Sequence, residues 1–135
     1  MKEIKICAKT VANMPVGFYG KFCTQVNGER HTWFIQSLVK ATEKLPVIDI
    51  ELCELNEYLD ENAWFHGENE PTIIAIIEHY QRVEKADLSF PIIINPELGV
   101  LDGLHRLAKA HVSGLSSIKA VVLRELPDPD YIGDF

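Results

Sequence analysis

The sequence predicts an α/β domain with a β-rich arm at its N-terminus, and three observations lead there. Short β-branched runs, "PVIDI", "FPIII" and "SIKAVVL", alternate along the chain with stretches whose apolar residues recur at helical spacing. Asn27-Gly28 separates two strand-like runs, which is the strongest short-range hairpin signal. The 135 residues contain no internal repeat, low-complexity tract or Pro/Gly/Ser-rich linker, so a single domain over 1–135 is expected. Within it, residues 1–44 read as the β-rich arm, 45–124 as the core and 125–135 as an acidic tail.

The elements follow in order. "KEIKICA" alternates as a short strand would, and "KFCTQV" and "ERHTWFI" flank the Asn-Gly turn. Val47, Ile48 and Ile50 form a strand that passes into a segment where Leu52, Leu55 and Leu59 recur helically. "NAWFHGENE" is a polar loop holding Trp64 and Phe65. Pro71 suits the first position of the next helix, with Asn69 or Glu70 as its cap. "TIIAIIEHYQRVEKA" puts Ile73, Ile76, Ile77, Tyr80 and Val83 on one stripe, predicting a helix packed on a sheet. "FPIIINP" is a short buried strand cut by Pro96, "ELG" a turn and "VLDG" the end of another strand. A helix then runs from about Gly103 to a C-terminal cap near Gly114, and "SIKAVVL" is the last strand. The tail "RELPDPDYIGDF", with two prolines and two aromatics, is expected either to dock loosely or to contact a partner.

Hydrophobic residues make up 47% of the chain and charged residues 24%, as in an ordinary soluble globular protein. No apolar run approaches the roughly 18 residues of a membrane span. "MKEIKICAKT" is too mixed in charge for a signal peptide, so a cytoplasmic protein is expected. Cys7, Cys23 and Cys53 are odd in number and far apart, with no zinc-ligand spacing, and read as reduced, partly buried thiols. A net charge of −7 argues against a surface that coats nucleic acid, though a local basic patch can still hold one small anion.

Such a patch is suggested by "VLDGLHRLAKA", residues 100–110. At 3.6 residues per turn, Leu104, Leu107, Ala108 and His111 form the buried stripe, with His111 as a satisfied core histidine. His105, Arg106 and Lys109 share a neighbouring sector about 100° wide. Helix starts favour acidic groups, so cations here point to a bound anion. The amides of Gly103 to Arg106 and the two side chains would hold it, and a side chain at Gly103 would keep its oxygens off the backbone. The alternative on spacing alone is a solvated helix start capped by Asp102, where exposed cations cost only a few tenths of a kcal/mol.

"PIIINPELGVLDGLHRLAKAHVSGLSSIKAVVL", preceded by a strand and an amphipathic helix, resembles the ParB/sulfiredoxin superfamily over about residues 45–124. Its hallmark is a strand, a Gly-x-His-Arg or Gly-Glu-Arg-Arg turn, a helix ending near a glycine, and a strand. The resemblance implies a small mixed sheet flanked by helices, here with an N-terminal β-hairpin extension. It also implies that Gly103, Leu104, His105, Arg106 and Lys109 lie at nucleotide phosphates: ATP in sulfiredoxins and free serine kinases, CTP in ParB proteins. Leu104 stands where sulfiredoxins carry their catalytic cysteine and cannot form a thiolate, so that chemistry is not expected. His105 replaces the first Arg of the ParB turn, and Arg82 is the only arginine between residues 45 and 101. About a dozen residues follow the last strand, so a DNA-associated factor or nuclease is disfavoured.

The Asp-Gly-x-His-Arg turn is most similar to that of the free serine kinases. That similarity implies Mg²⁺-dependent phosphoryl transfer to a small hydroxylated metabolite, with Asp102 taking the hydroxyl proton or holding Mg²⁺. Glu51, Glu54 or Glu57 is the candidate second acid. Trp64, Phe65 and His66 would stack a base, close over a substrate as part of a 62–70 lid, or anchor the loop. The leading expectation is nucleotide-phosphate binding, with ATP or another nucleotide and Mg²⁺ as cofactors and a possible small-molecule acceptor. The alternative is a non-catalytic nucleotide-responsive or protein-interaction module using the arm or the tail. Whether the chain is an enzyme stays open at this point.

Overall fold

The computed structural model describes residues 20–60, 64 and 71–133. The expected strand at "KEIKICA", Cys7, Phe65 and His66 lie outside the described residues. β1 (Lys21–Val26) and β2 (Glu29–Phe34) pair antiparallel from Lys21↔Phe34 to Val26↔Glu29. Asn27 (φ 51°) and Gly28 (φ 82°) close the hairpin, since a two-residue turn matching the strand twist needs positive φ at both positions. The arm is not all β: Phe34 leads directly into α1 (Ile35–Ala41), which buries Ile35 and Leu38.

The tail is firmly docked, which corrects the expectation of a loose end. β7 (Tyr131–Ile132) adds to β2 through Thr32↔Tyr131 and His31↔Ile132, completing a three-stranded sheet. The indole N–H of Trp33 donates to the Pro127 carbonyl at 2.7 Å. The Asp130 carboxylate accepts from the Phe34 amide at 2.7 Å and the Ser37 hydroxyl at 2.9 Å. An acidic group at the start of α1 meets unpaired N–H groups and the positive end of the helix dipole.

The second sheet has the order β3-β6-β4-β5, from β3 (Ile48–Glu51), β4 (Ile92–Asn95), β5 (Gly99–Asp102) and β6 (Ser117–Val122). β4 and β6 run parallel and the other neighbours antiparallel, so the chain is mixed α and β with one mixed sheet. Both faces are covered, which is why β4 reads as an unbroken apolar run. On one face Ile92, Ile118 and Ala120 meet Leu107 and Ala110 of α4 (Leu104–Val112). Leu52 and Leu55 of a 3₁₀ turn (Leu52–Leu55) complete this cluster, and the turn runs on into α2 (Asn56–Leu59). On the other face Ile93, Leu101 and Leu123 meet Trp33, Ile35 and Leu38. Each fully buried aliphatic side chain contributes about 1.5–3 kcal/mol, so this double-sided core holds the turn after β5 in place.

α3 (Ile73–Lys85) departs from the sequence reading at two points. Its cap is Thr72, whose hydroxyl accepts from the Ala75 amide at 3.1 Å, so Pro71 precedes the cap and Asn69 and Glu70 do not supply it. Thr72 prevails because its oxygen satisfies an otherwise orphan first-turn donor. The helix was expected to lay its apolar stripe on a sheet. Instead it packs on α4, none of its residues is fully buried, and Ile73, Ile76, Ile77 and Tyr80 face outward.

Candidate functional site

The candidate site is the β5–α4 turn, and its geometry starts at Gly103. This residue has φ 109°, a region that disfavours any Cβ. A Cβ there would sit 2.5 Å from Ile92 Cγ2, in the core of the sheet. Glycine is thus required by packing, a stronger reason than the clearance for an anion inferred from sequence. α4 starts at Leu104, no side chain caps it, and the Leu107 amide makes the first return bond to the Gly103 carbonyl at 2.8 Å. The amides of Leu104 and His105 therefore fall outside the helical ladder.

Asp102 is not the cap. Its carboxylate accepts from the Arg106 guanidinium at 2.6 Å, and the same guanidinium donates to the Pro91 carbonyl at 2.8 Å. Arg106 is 2% exposed, on the buried face with Leu107 and Ala110. His111, expected in the core, is exposed, and Ala108 is only half-buried. The reason is a rotation of the helix. Leu107 and Ala110 fill the sheet-facing side while the neighbouring Arg106 reaches back to β5 and the segment before β4, which turns His111 outward. Burial pushes the Asp102 carboxyl above its ordinary value, with Arg106 and the Gly103 amide pulling against it.

The other two cations are accounted for within the fold as well. The Lys109 ammonium donates to the carbonyls of Glu84 at 2.8 Å and Ala86 at 2.7 Å, closing the C-terminus of α3. His105 Nε2 lies 2.8 Å from His79 Nδ1, with ring centroids 5.1 Å apart and planes 10° from parallel. The two imidazoles therefore meet edge to edge in nearly one plane. Trp64 roofs both, stacking at 4.5 Å on His105 and 4.7 Å on His79 with planes 6° and 8° from parallel.

A hydrogen bond between two imidazoles needs one ring to donate and the other to accept, so protonating both would set N–H against N–H. Burial lowers His105 to about 4, helped by His79, Arg82 and Arg106. Burial and Arg82 also lower His79, against Glu78. Both shifts favour the neutral imidazole over the charged one. The helix that reads as beginning with cations in fact presents a neutral ring, a paired guanidinium and an ammonium spent on its neighbour.

The fold thus gathers Asp102, Gly103, Leu104, His105 and Arg106 at one turn and brings Trp64 onto it, while Lys109 faces α3. Leu104 is half-buried and packs against the sheet core. Glu51, Glu54 and Glu57 are exposed on and after β3, and Cys53 is also exposed, unlike the expected partly buried thiol. Cys23 is half-buried. Sequence reasoning missed His79, whose only signal was a polar residue beside the apolar stripe of α3. Trp64 and His79 also border a cleft of about 560 Å³ between α3 and α4, lined further by Ile76, Tyr80, Lys109 and Val112. Among the described residues there is no group of three or more side chains able to hold a metal ion, and no helix long and apolar enough to cross a membrane.

Comparison of the chain with family models, curated proteins and solved structures finds no match.

Proposed function

We propose that the chain is a nucleotide-binding module of ParB/sulfiredoxin-like type that takes phosphate at the first turn of α4 and does not transfer it. The observation that carries this reading is the α4 N-terminus, which has no side-chain cap and adjoins the flat Trp64–His79–His105 layer. Amides at a helix start accept an anion, and an aromatic layer beside them offers a π-face on which a base stacks for about 1–3 kcal/mol. Phosphate contact is assigned to backbone amides, with Arg106 shaping the turn from beneath. The non-catalytic form is preferred because the Asp102 carboxylate already accepts from Arg106 and the Gly103 amide, which leaves it poorly placed to hold Mg²⁺ or take a proton.

The test uses Trp64 as its own reporter. In a Trp33→Phe variant it is the only indole, and ATP, ADP, CTP and GTP are titrated with and without Mg²⁺ while fluorescence, melting temperature and phosphate release are followed. Saturable quenching and a raised melting temperature without turnover are expected, and Trp64→Ala should weaken binding at least tenfold. Absence of quenching and of any thermal shift with all four nucleotides would end the reading. Turnover that Asp102→Asn abolishes would replace it with phosphoryl transfer to a hydroxylated acceptor.

A further inference from the structure

We infer that the outer face of α3 is a two-fold interface with a second copy of this chain. The stripe is Ile73, Ile76, Ile77 and Tyr80, joined at its sides by Ile74 and by Val112 of α4, and these six residues are between 43% and 79% exposed. At roughly 200 Å² for a fully exposed large side chain, they present about 750 Å² of mostly apolar surface. That exceeds the roughly 300–600 Å² patch of a typical monomer and is close to the roughly 800 Å² per partner of a stable interface.

The exposed area argues for a second copy, and the pattern, which is that of any amphipathic helix face, is compatible with one. Residues 73, 76, 77 and 80 are spaced three, one and three apart, a series that reads the same in both directions. Packing α3 antiparallel on its own copy about an axis between Ile76 and Ile77 sets Ile73 against Tyr80 and Ile76 against Ile77. The surface is thus complementary to itself, as a two-fold contact requires. The charges agree. Glu78, the one charged side chain between residues 73 and 80, points about 140° of helical turn away from Ile73 and lies opposite Ala75 of the copy. Glu84, on the same side as the stripe, lies beyond the overlapped turns. Among the described residues no like charges are brought together, and the patch carries none at its centre. Lys109 holds the C-terminus of α3 onto α4, so the helix presents this face as a rigid rod. Ile76, Tyr80 and Val112 also line the cleft that Trp64 and His79 border, so the dimer face adjoins the proposed base-stacking layer, and the dimer is tested without nucleotide.

Sedimentation velocity of the full chain across about 1–100 μM is expected to show a dimer, and Ile76→Asp or Ile77→Asp should raise its dissociation constant more than tenfold. Both positions are exposed, so the variants should keep the wild-type circular dichroism and Trp33 fluorescence. Geometry is checked in a chain carrying Cys7→Ser, Cys23→Ser and Cys53→Ser. There Ile77→Cys, next to the axis, should oxidise to a covalent dimer. Ile73→Cys, whose two copies would lie about 10 Å apart along the axis at 1.5 Å per residue, should not. A monomer at all concentrations, a dimer indifferent to both Asp variants, or cross-linking through Ile73→Cys instead of Ile77→Cys would each overturn the inference. A monomer would leave another segment of the chain or a different protein to cover the face.

Discussion

Arg106→Ala should damage the fold before it damages ligand binding. The guanidinium is 2% exposed, donates to Asp102 at 2.6 Å and to the Pro91 carbonyl at 2.8 Å, and ties the start of α4 to the segment before β4. Removing it leaves a carboxylate buried and unpaired, a change that costs about 3–5 kcal/mol. At about 2 cal/mol/K of unfolding entropy per residue, that loss corresponds to a melting temperature lower by about 11–18 °C in a chain of 135 residues. Arg106→Lys should cost less, about 1–3 kcal/mol, because an ammonium keeps the charge but not the fork that serves two acceptors. Replacing both partners, Asp102→Leu with Arg106→Met, should recover most of the loss, since an apolar pair of similar volume incurs no desolvation cost. Urea unfolding followed by Trp33 fluorescence, arranged as a double-mutant cycle, measures all three. If Arg106→Ala costs under about 1 kcal/mol while nucleotide binding disappears, the guanidinium is a ligand that leaves Asp102, and its structural assignment is wrong.

Three further outcomes are expected. Because His105 is held down to about 4 in the folded state against 6.5 when unfolded, its contribution is complete above pH 6.5 and lost as pH falls toward 4. The full drop corresponds to about 3 kcal/mol, which water screening of this partly exposed ring reduces to about 1–2 kcal/mol. Thermal melts between pH 7.5 and 4 should show that slope, and His105→Gln should flatten it; an unchanged slope would remove the His79–His105 pair as its source. Lys109→Met removes two charge-assisted bonds to the end of α3 and should cost about 1 kcal/mol, with hydrogen exchange faster in the last turn of α3 and unaltered in β4. Asp130→Ala should cost about 1 kcal/mol and release the 127–133 segment to proteolysis, whereas a tail still protected would mean that β7 pairing and the Trp33 contact suffice.

Features decided within a few residues were legible from sequence. The Asn27-Gly28 turn needs positive φ at both positions, the apolar run at β4 suits a strand covered on both sides, and the periodicity of 73–85 and 104–112 gave both helices to within two residues. Asp102-Gly103 was read as the turn between a strand and a helix, and it joins β5 to α4. The orientation of α4 was not, because periodicity alone leaves a rotation of about one residue undecided: Arg106 is buried and His111 exposed. The tail was misread since its two prolines lack amide donors, while its anchor is a carboxylate reaching a helix start 93 residues away along the chain.

The sequence by itself determined that this chain makes a mixed α and β domain with a tight glycine turn ahead of a helix bearing His105, Arg106 and Lys109. Only the tertiary structure decided what those three side chains do. Asp102 lies one turn from Arg106, but burial of both depends on the sheet beneath. His79 is 26 residues from His105, and the α3 carbonyls that Lys109 caps are 23 and 25 residues away. Local spacing states which face of a helix is apolar or charged. What meets that face depends on pairings between distant segments, and there a neutral ring, a buried ion pair and a helix cap all look like the same run of cations.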